Sequence, residues 1–213
     1  MDNKVVVAID GSNNALMALD YLSMMFGRSD LEAHLIYVMP ALPPLFDEPE
    51  MRRKAKKQLE AVENKNREVG EAILSEGKNR LEKKGFAPER VHTHLEEKNL
   101  GPARDTCSFS GKNKAKAIVV GARGRSRLEK FFTGSVSGNI VECSKSSPVW
   151  LVNGDVKSDK VLFAIDPSEN AMHAVAHAAH MLEDTGVEIT LFHTKRDLAR
   201  FIPKEVLDAA PDL

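Results

Sequence analysis

The chain has 213 residues, 30 Lys and Arg against 31 Asp and Glu, a formal net charge of −1 and 42% apolar residues. Such a near-neutral balance offers no global basic field for nucleic acid, and no apolar run approaches the roughly 18 residues that a spanning helix needs. Two cysteines, Cys107 and Cys143, are too few for a disulfide framework or a thiolate metal cluster and read as ordinary thiols.

The first element is the continuous apolar run Val5 to Ile9, a strand buried on both faces, which ends at Asp10-Gly11-Ser12-Asn13-Asn14. Ser12 or Asn13 can cap a helix whose apolar side is Ala15, Leu16, Ala18, Leu19, Leu22 and Met25, with Gly27 as its stop. A second strand, Ala33 to Met39, precedes a loop punctuated by Pro40, Pro43, Pro44 and Pro49. From Met51 to Lys84 the pattern predicts a long solvent-facing helix, kinked near Gly70 or Gly77. Strand candidates follow at Val91 to Leu95, Ala117 to Val120 and Pro148 to Val152, separated by helices at Pro102 to Lys112 and Gly134 to Cys143. Strands alternating with helices imply a parallel sheet wrapped on both faces by right-handed crossovers.

After a polar linker the pattern restarts. Lys160-Val161-Leu162-Phe163-Ala164-Ile165-Asp166-Pro167-Ser168 aligns with Lys4 to Ser12 at a constant offset of 156 residues, and the ungapped match continues to Leu35 and Leu191. About a third of the positions from Lys4 to Val38 are identical to their partners, which marks a duplication. The second copy has strands at Val161 to Ile165 and Val187 to His193 around a helix from Asn170 to Glu183, and no counterpart of the first copy beyond its second strand. The expected organisation is a complete domain over 1–153, a linker over 154–159 and an incomplete second domain over 160–213.

Chemistry concentrates in Val119-Val120-Gly121-Ala122-Arg123-Gly124 and in Thr133-Gly134-Ser135-Val136-Ser137, where a buried strand meets a glycine-bearing turn and a helix start. Glycines let a ligand approach the backbone, and N–H groups at a helix N-terminus favour an anion. Ser135 and Ser137 add hydroxyl donors, a combination suited to phosphate.

The spacing G-x2-G-x9-G-[S/T] formed by Gly121, Gly124, Gly134 and Ser135 resembles that of nucleotide-binding universal stress proteins. The resemblance extends to Val7-Ala8-Ile9-Asp10-Gly11-Ser12, to Ile36-Tyr37-Val38 and to Ser147-Pro148-Val149-Trp150-Leu151-Val152. It implies an open, Rossmann-like α/β sheet of five parallel strands in the order 3-2-1-4-5, of the adenine nucleotide alpha hydrolase type, followed by a partial repeat. It further implies ATP, with or without Mg2+, at the carboxyl ends of strands 1 and 4. On this resemblance Asp10 and Ala8 face the base and ribose, the Val38 backbone addresses the adenine edge, and Val120 and Gly121 meet the ribose and first phosphate. Gly124, Gly134, Ser135, Val136 and Ser137 hold the phosphates, with Arg123 and Arg125 beside them.

Structural alternatives accompany these roles. Asp10 could cap the helix, Gly121 could serve only a turn, and the run Arg123, Arg125, Arg127, Lys130 could be a solvated loop. No P-loop, dinucleotide fingerprint or nucleophile elbow is present. His173, His177 and His180 share one helix face, but no carboxylate or cysteine is placed by sequence to complete a metal site, so none is expected. The resulting expectation is a cytoplasmic, homodimeric, ATP-binding regulatory protein with little or no catalysis. A nucleotide-independent dimerisation protein and a weak ATPase are the alternatives.

Overall fold

Val5, Val6 and Val7 are completely buried, as a strand covered on both faces requires. They form the centre of β1 (Lys4–Ala8), from which the computed structural model builds the rest of its larger sheet. The structure describes residues 3–41, 53, 55–122, 136–145 and 147–194. The chain divides into two compact units, Met1–Asp159 and Lys160–Leu213.

In the first unit β1 is followed by α1 (Asn13–Phe26), β2 (Glu32–Val38), α2 (Lys56–Lys83), β3 (Val91–Glu96), α3 (Pro102–Lys112), β4 (Ala117–Gly121), α4 (Val136–Cys143) and β5 (Val149–Val152). The strands are all parallel in the order β3-β2-β1-β4-β5, with Val6 in register with His34 on one side and Ile118 on the other. The chain therefore winds from β1 outward to β2 and β3, then crosses back to β4 and β5. Helices α1 and α2 pack together on one face, and α3 and α4 pack together on the other.

Local chemistry explains these elements. Ser12 caps α1 by accepting the Ala15 N–H at 3.3 Å, and Ala15, Ala18, Leu19, Leu22, Met25 and Phe26 form its buried stripe. Trp150 of β5 tilts against Tyr21 and Phe26, ring centroids 6.3 and 5.8 Å away. Helix α2 runs as one α-helix through Gly70 and Gly77. The two glycines serve close packing: a Cβ at Gly70 would come within 2.5 Å of Leu95, and one at Gly77 within 3.1 Å of Ile9 and Leu35. Leu59, Leu74 and Leu81 are buried on the same helix, so its inner stripe faces the core and is not wholly solvent-facing. The Arg80 guanidinium grips the Asp20 carboxylate with two hydrogen bonds of 2.6 and 2.8 Å, fastening α2 to α1. Arg90 donates to the carbonyls of Gly27, Ser29 and Leu31, so one side chain satisfies the turn between α1 and β2.

The second unit contains β6 (Lys160–Ala164), α5 (Glu169–Leu182) and β7 (Glu188–Phe192), the two strands forming a separate parallel pair. Its helix is capped as α1 is, with Ser168 accepting the Ala171 N–H at 3.2 Å. Among the described residues no helix is long and apolar enough to cross a membrane.

Candidate functional site

A doubly wound sheet opens a crevice at the carboxyl ends of its strands where the chain's winding reverses, here between β1 and β4. Such a crevice is present, with a cavity volume of about 240 Å³. Ala8 and Asp10 reach it from the end of β1, Val38 from β2, Val120 and Gly121 from β4, and Val136 and Ser137 from the start of α4. These seven residues of the expected site thus share one cavity. Arg123, Gly124, Gly134 and Ser135 lie outside the described residues, as do Arg125, Arg127 and Lys130.

Residues given no site role from the sequence also line the wall, among them Ile36 and Tyr37 of β2, Pro40, and Pro102 and Thr106 of α3. The register could have supplied Ile36, which pairs with Ala8 and so must point to the same face. Nothing in the local pattern of α3 marks Thr106, which is buried with its hydroxyl donating to the Pro102 carbonyl at 2.7 Å. The walls are largely apolar, and among the described lining residues Asp10 is the one charged side chain.

Asp10 is not the cap of α1, a role that Ser12 fills. It lines the cavity, and its Oδ1 accepts the Ser12 N–H at 3.0 Å, closing the turn into α1. Gly11 between them has φ +75°, a left-handed conformation that glycine adopts without strain. The Gly121 backbone passes directly against the first residues of α1, where a Cβ would overlap the carbonyl of Asn14. That glycine is therefore required by packing before any ligand is considered. Val136 and Ser137, the first described residues of α4, line this rim, and N–H groups at a helix N-terminus favour an anion.

The two cysteines differ from the expectation of ordinary thiols. Cys107 of α3 and Cys143 of α4 form a disulfide, with Cα atoms 6.5 Å apart. The bond joins the two helices that supply Pro102, Thr106, Val136 and Ser137 to the cavity. A wider depression of about 920 Å³ lies over this same helix pair, lined by Arg104, Cys107, Asn139, Cys143 and Lys145 among others. Of the expected site residues it includes Val136 and none of the rest that are described, so the smaller crevice is where the site converges.

Comparison with known proteins agrees with this architecture. The model of the universal stress protein family matches residues 1–153 and 157–212. Universal stress protein MJ0531 of Methanocaldococcus jannaschii is 28% identical over 139 residues, covering 65% of this chain and 75% of that protein. Universal stress protein YxiE of Bacillus subtilis is 28% identical over 159 residues, 71% of this chain and 99% of the relative. Among solved structures, a universal stress protein from Archaeoglobus fulgidus superposes with a TM-score of 0.61 at 23% identity, covering 98% of this chain and 75% of its own. A family match across both units, on a sheet wound in the order 3-2-1-4-5, makes this chain a member of the universal stress protein family.

Proposed function

We propose that the crevice between β1 and β4 binds an adenine nucleotide, ATP with or without Mg2+, and that binding serves regulation in the stress response. The observation that carries this reading is the cavity itself: seven residues distant in sequence meet at the switch point of the sheet, with apolar walls on one side and a helix start on the other. A volume of about 240 Å³ lies somewhat below the roughly 300–1,000 Å³ of sites that enclose a whole drug-sized ligand, and suits the base and ribose. Val38 and Tyr37 would flank the adenine, Asp10 would accept from ribose hydroxyls, and Ser137 with the α4 N–H groups would meet the first phosphate. The remaining phosphates fall to Gly124, Gly134 and Ser135.

Such a site provides affinity rather than turnover. A cradle of backbone and hydroxyl donors stabilises bound ground state and transition state alike, which gives binding without rate. On the same proposal the protein is a binding module rather than an enzyme, acting in the cytoplasm as a homodimer.

Thermal unfolding with and without MgATP tests the proposal. A ligand that binds the folded state alone stabilises it by about 2.7 kcal/mol at a concentration one hundred times its Kd. A rise in Tm that follows ATP concentration, together with adenine nucleotide in the mass spectrum of the supernatant of denatured protein, is the expected result. An unchanged Tm at millimolar ATP, ADP and AMP would overturn it.

A further inference from the structure

At the opposite end of the same sheet, side chains of β2 and β3 converge in a way the crevice does not use. His34 and His92 are register partners on adjacent parallel strands, and Glu32 lies two residues before His34. Side chains two apart on a strand share a face, so Glu32, His34, His92 and His94 all stand on one side of the sheet. The Glu32 Oε2 is 3.5 Å from the His34 Nε2 and 3.6 Å from the His92 Nε2. One donor atom from each of these three residues falls within 4.8 Å of the other two.

We propose that Glu32, His34 and His92 form a binding site for a divalent transition-metal ion of the zinc type, which clips β2 to β3 at their amino ends. Zinc binds imidazole nitrogen and carboxylate oxygen at about 2.0–2.1 Å, so two ligands of a tetrahedral ion lie about 3.3–3.4 Å apart. The two distances to Glu32 are already within a few tenths of an ångström of that edge. Three protein ligands leave the fourth position to water.

The surroundings orient the central ligand. His34 has a side chain only 12% exposed, and its Nδ1 is 3.0 Å from the Nε2 of His94. When His34 donates its Nδ1–H to His94, its Nε2 lone pair is left facing Glu32, the tautomer that a metal requires. His94 is itself held by the Phe109 ring of α3, centroids 4.6 Å apart. Lys4, in register with Glu32 on β1, adds a positive charge that bears on His34 and opposes a cation.

This arrangement has no prominence in the sequence, because Glu32 and His34 are separated from His92 by a whole crossover. Among the described residues, the donor atoms of the more visible trio, His173, His177 and His180 on α5, do not converge in this way.

The test is a titration of the full chain, stripped of nucleotide and metal, with Zn2+ against a chromophoric chelator, and with Co2+ followed by visible absorption. The expected result is one ion per chain and the intense absorption of tetrahedral Co2+. His92→Ala and Glu32→Gln should each weaken binding by about tenfold or more, the lower end of what even outer-shell partners of a metal site contribute. Both substituted side chains are about half exposed, 41% and 46%, and the Trp150 fluorescence of each variant should match that of the parent. The triple variant His173→Ala, His177→Ala, His180→Ala should bind as the parent does. No binding at 1:1 Zn2+ in the micromolar range, affinity equal to the parent's in the two strand variants, or loss in the α5 triple variant would each overturn the proposal.

Discussion

Gly121 lies against the carbonyl of Asn14 so closely that the smallest side chain cannot be accommodated there. The contact brings the end of β4 onto the first turn of α1, and both segments line the crevice, through Gly121 and Ala15. A glycine that looks in sequence like part of a phosphate loop is therefore also a packing residue. Gly121→Ala is expected to destabilise the protein by about 1–3 kcal/mol, the cost of forcing a methyl group into a filled contact. Urea unfolding of nucleotide-free protein, followed through the single tryptophan, Trp150, measures this directly. A variant as stable as the parent would show that packing does not require this glycine.

Asp10 separates the same two roles. Its Oδ1 accepts the Ser12 N–H at 3.0 Å, and the repeat preserves the bond, with Asp166 accepting from Ser168 at 3.1 Å. Asparagine keeps an acceptor oxygen at that atom and removes the charge. Asp10→Asn should leave the unfolding free energy from urea titration within about 0.5 kcal/mol of the parent, as a substitution that preserves the turn. Its Tm should respond less to MgATP. Asp10→Ala should lose both, with a cost to the helix start of about 0.5–2 kcal/mol, comparable to loss of a cap.

The disulfide was not legible in the sequence, and the reason is geometric. Cys107 and Cys143 are 36 residues apart, on α3 and α4, and their approach depends on how two helices on one sheet face pack. No local periodicity encodes that distance. Closing a loop of this length limits the unfolded chain by about 3–4 kcal/mol in the loop-entropy account. Cys143→Ser, or the parent in dithiothreitol, should unfold at correspondingly lower denaturant. Because the bond joins helices that both contribute to the crevice, nucleotide affinity measured in oxidised and reduced protein should also differ.

Elsewhere the sequence was more informative where burial is two-sided. The runs Val5 to Ile9 and Ala117 to Val120 have no polar face to mislead, and they form the two strands that flank the crevice. The constant offset of 156 likewise predicted matching strand–helix–strand units, and their caps agree to within 0.1 Å. Contacts formed between elements were less visible: Arg80 on Asp20, Arg90 on three carbonyls, and the glycines of α2 against the sheet.

The repeat also shows what the second unit leaves open. Leu35 and Ile36 of β2 are 0% and 1% exposed, whereas their counterparts Leu191 and Phe192 of β7 are 59% and 50% exposed. Val6 is buried, and its counterpart Leu162 is 62% exposed. A parallel strand pair with apolar side chains open on both faces is suited to association. If the protein is the homodimer proposed above through this unit, Leu162→Glu with Phe192→Glu should convert it to monomer in light scattering at micromolar concentration. A parent that is already monomeric would remove this surface from consideration.

The imidazoles between β2 and β3 set an acid limit on stability. The His94 pKa is held at about 4, below its ordinary 6.5, chiefly by burial and then by the charges on His34 and His92; His34 shifts in the same direction for the same leading reason. The unfolded chain therefore takes up protons that the folded chain refuses between these values, and folding stability falls as pH drops from about 6.5 toward 4. Above 6.5 the contribution is complete, and below 4 no further loss arises from His94. Glu32 beside His34 offsets part of the effect, while Lys4 adds to it. Asp20 acts lower on the scale: its hydrogen bond to Arg80 depresses its pKa below 3.8, so its contribution is lost only in stronger acid. Urea midpoints measured with a chelator present, at steps from pH 7.5 to 4, should show the first decline in the parent and a shallower one in His94→Gln, whose amide does not titrate. An equal slope in both proteins would assign the decline to other groups.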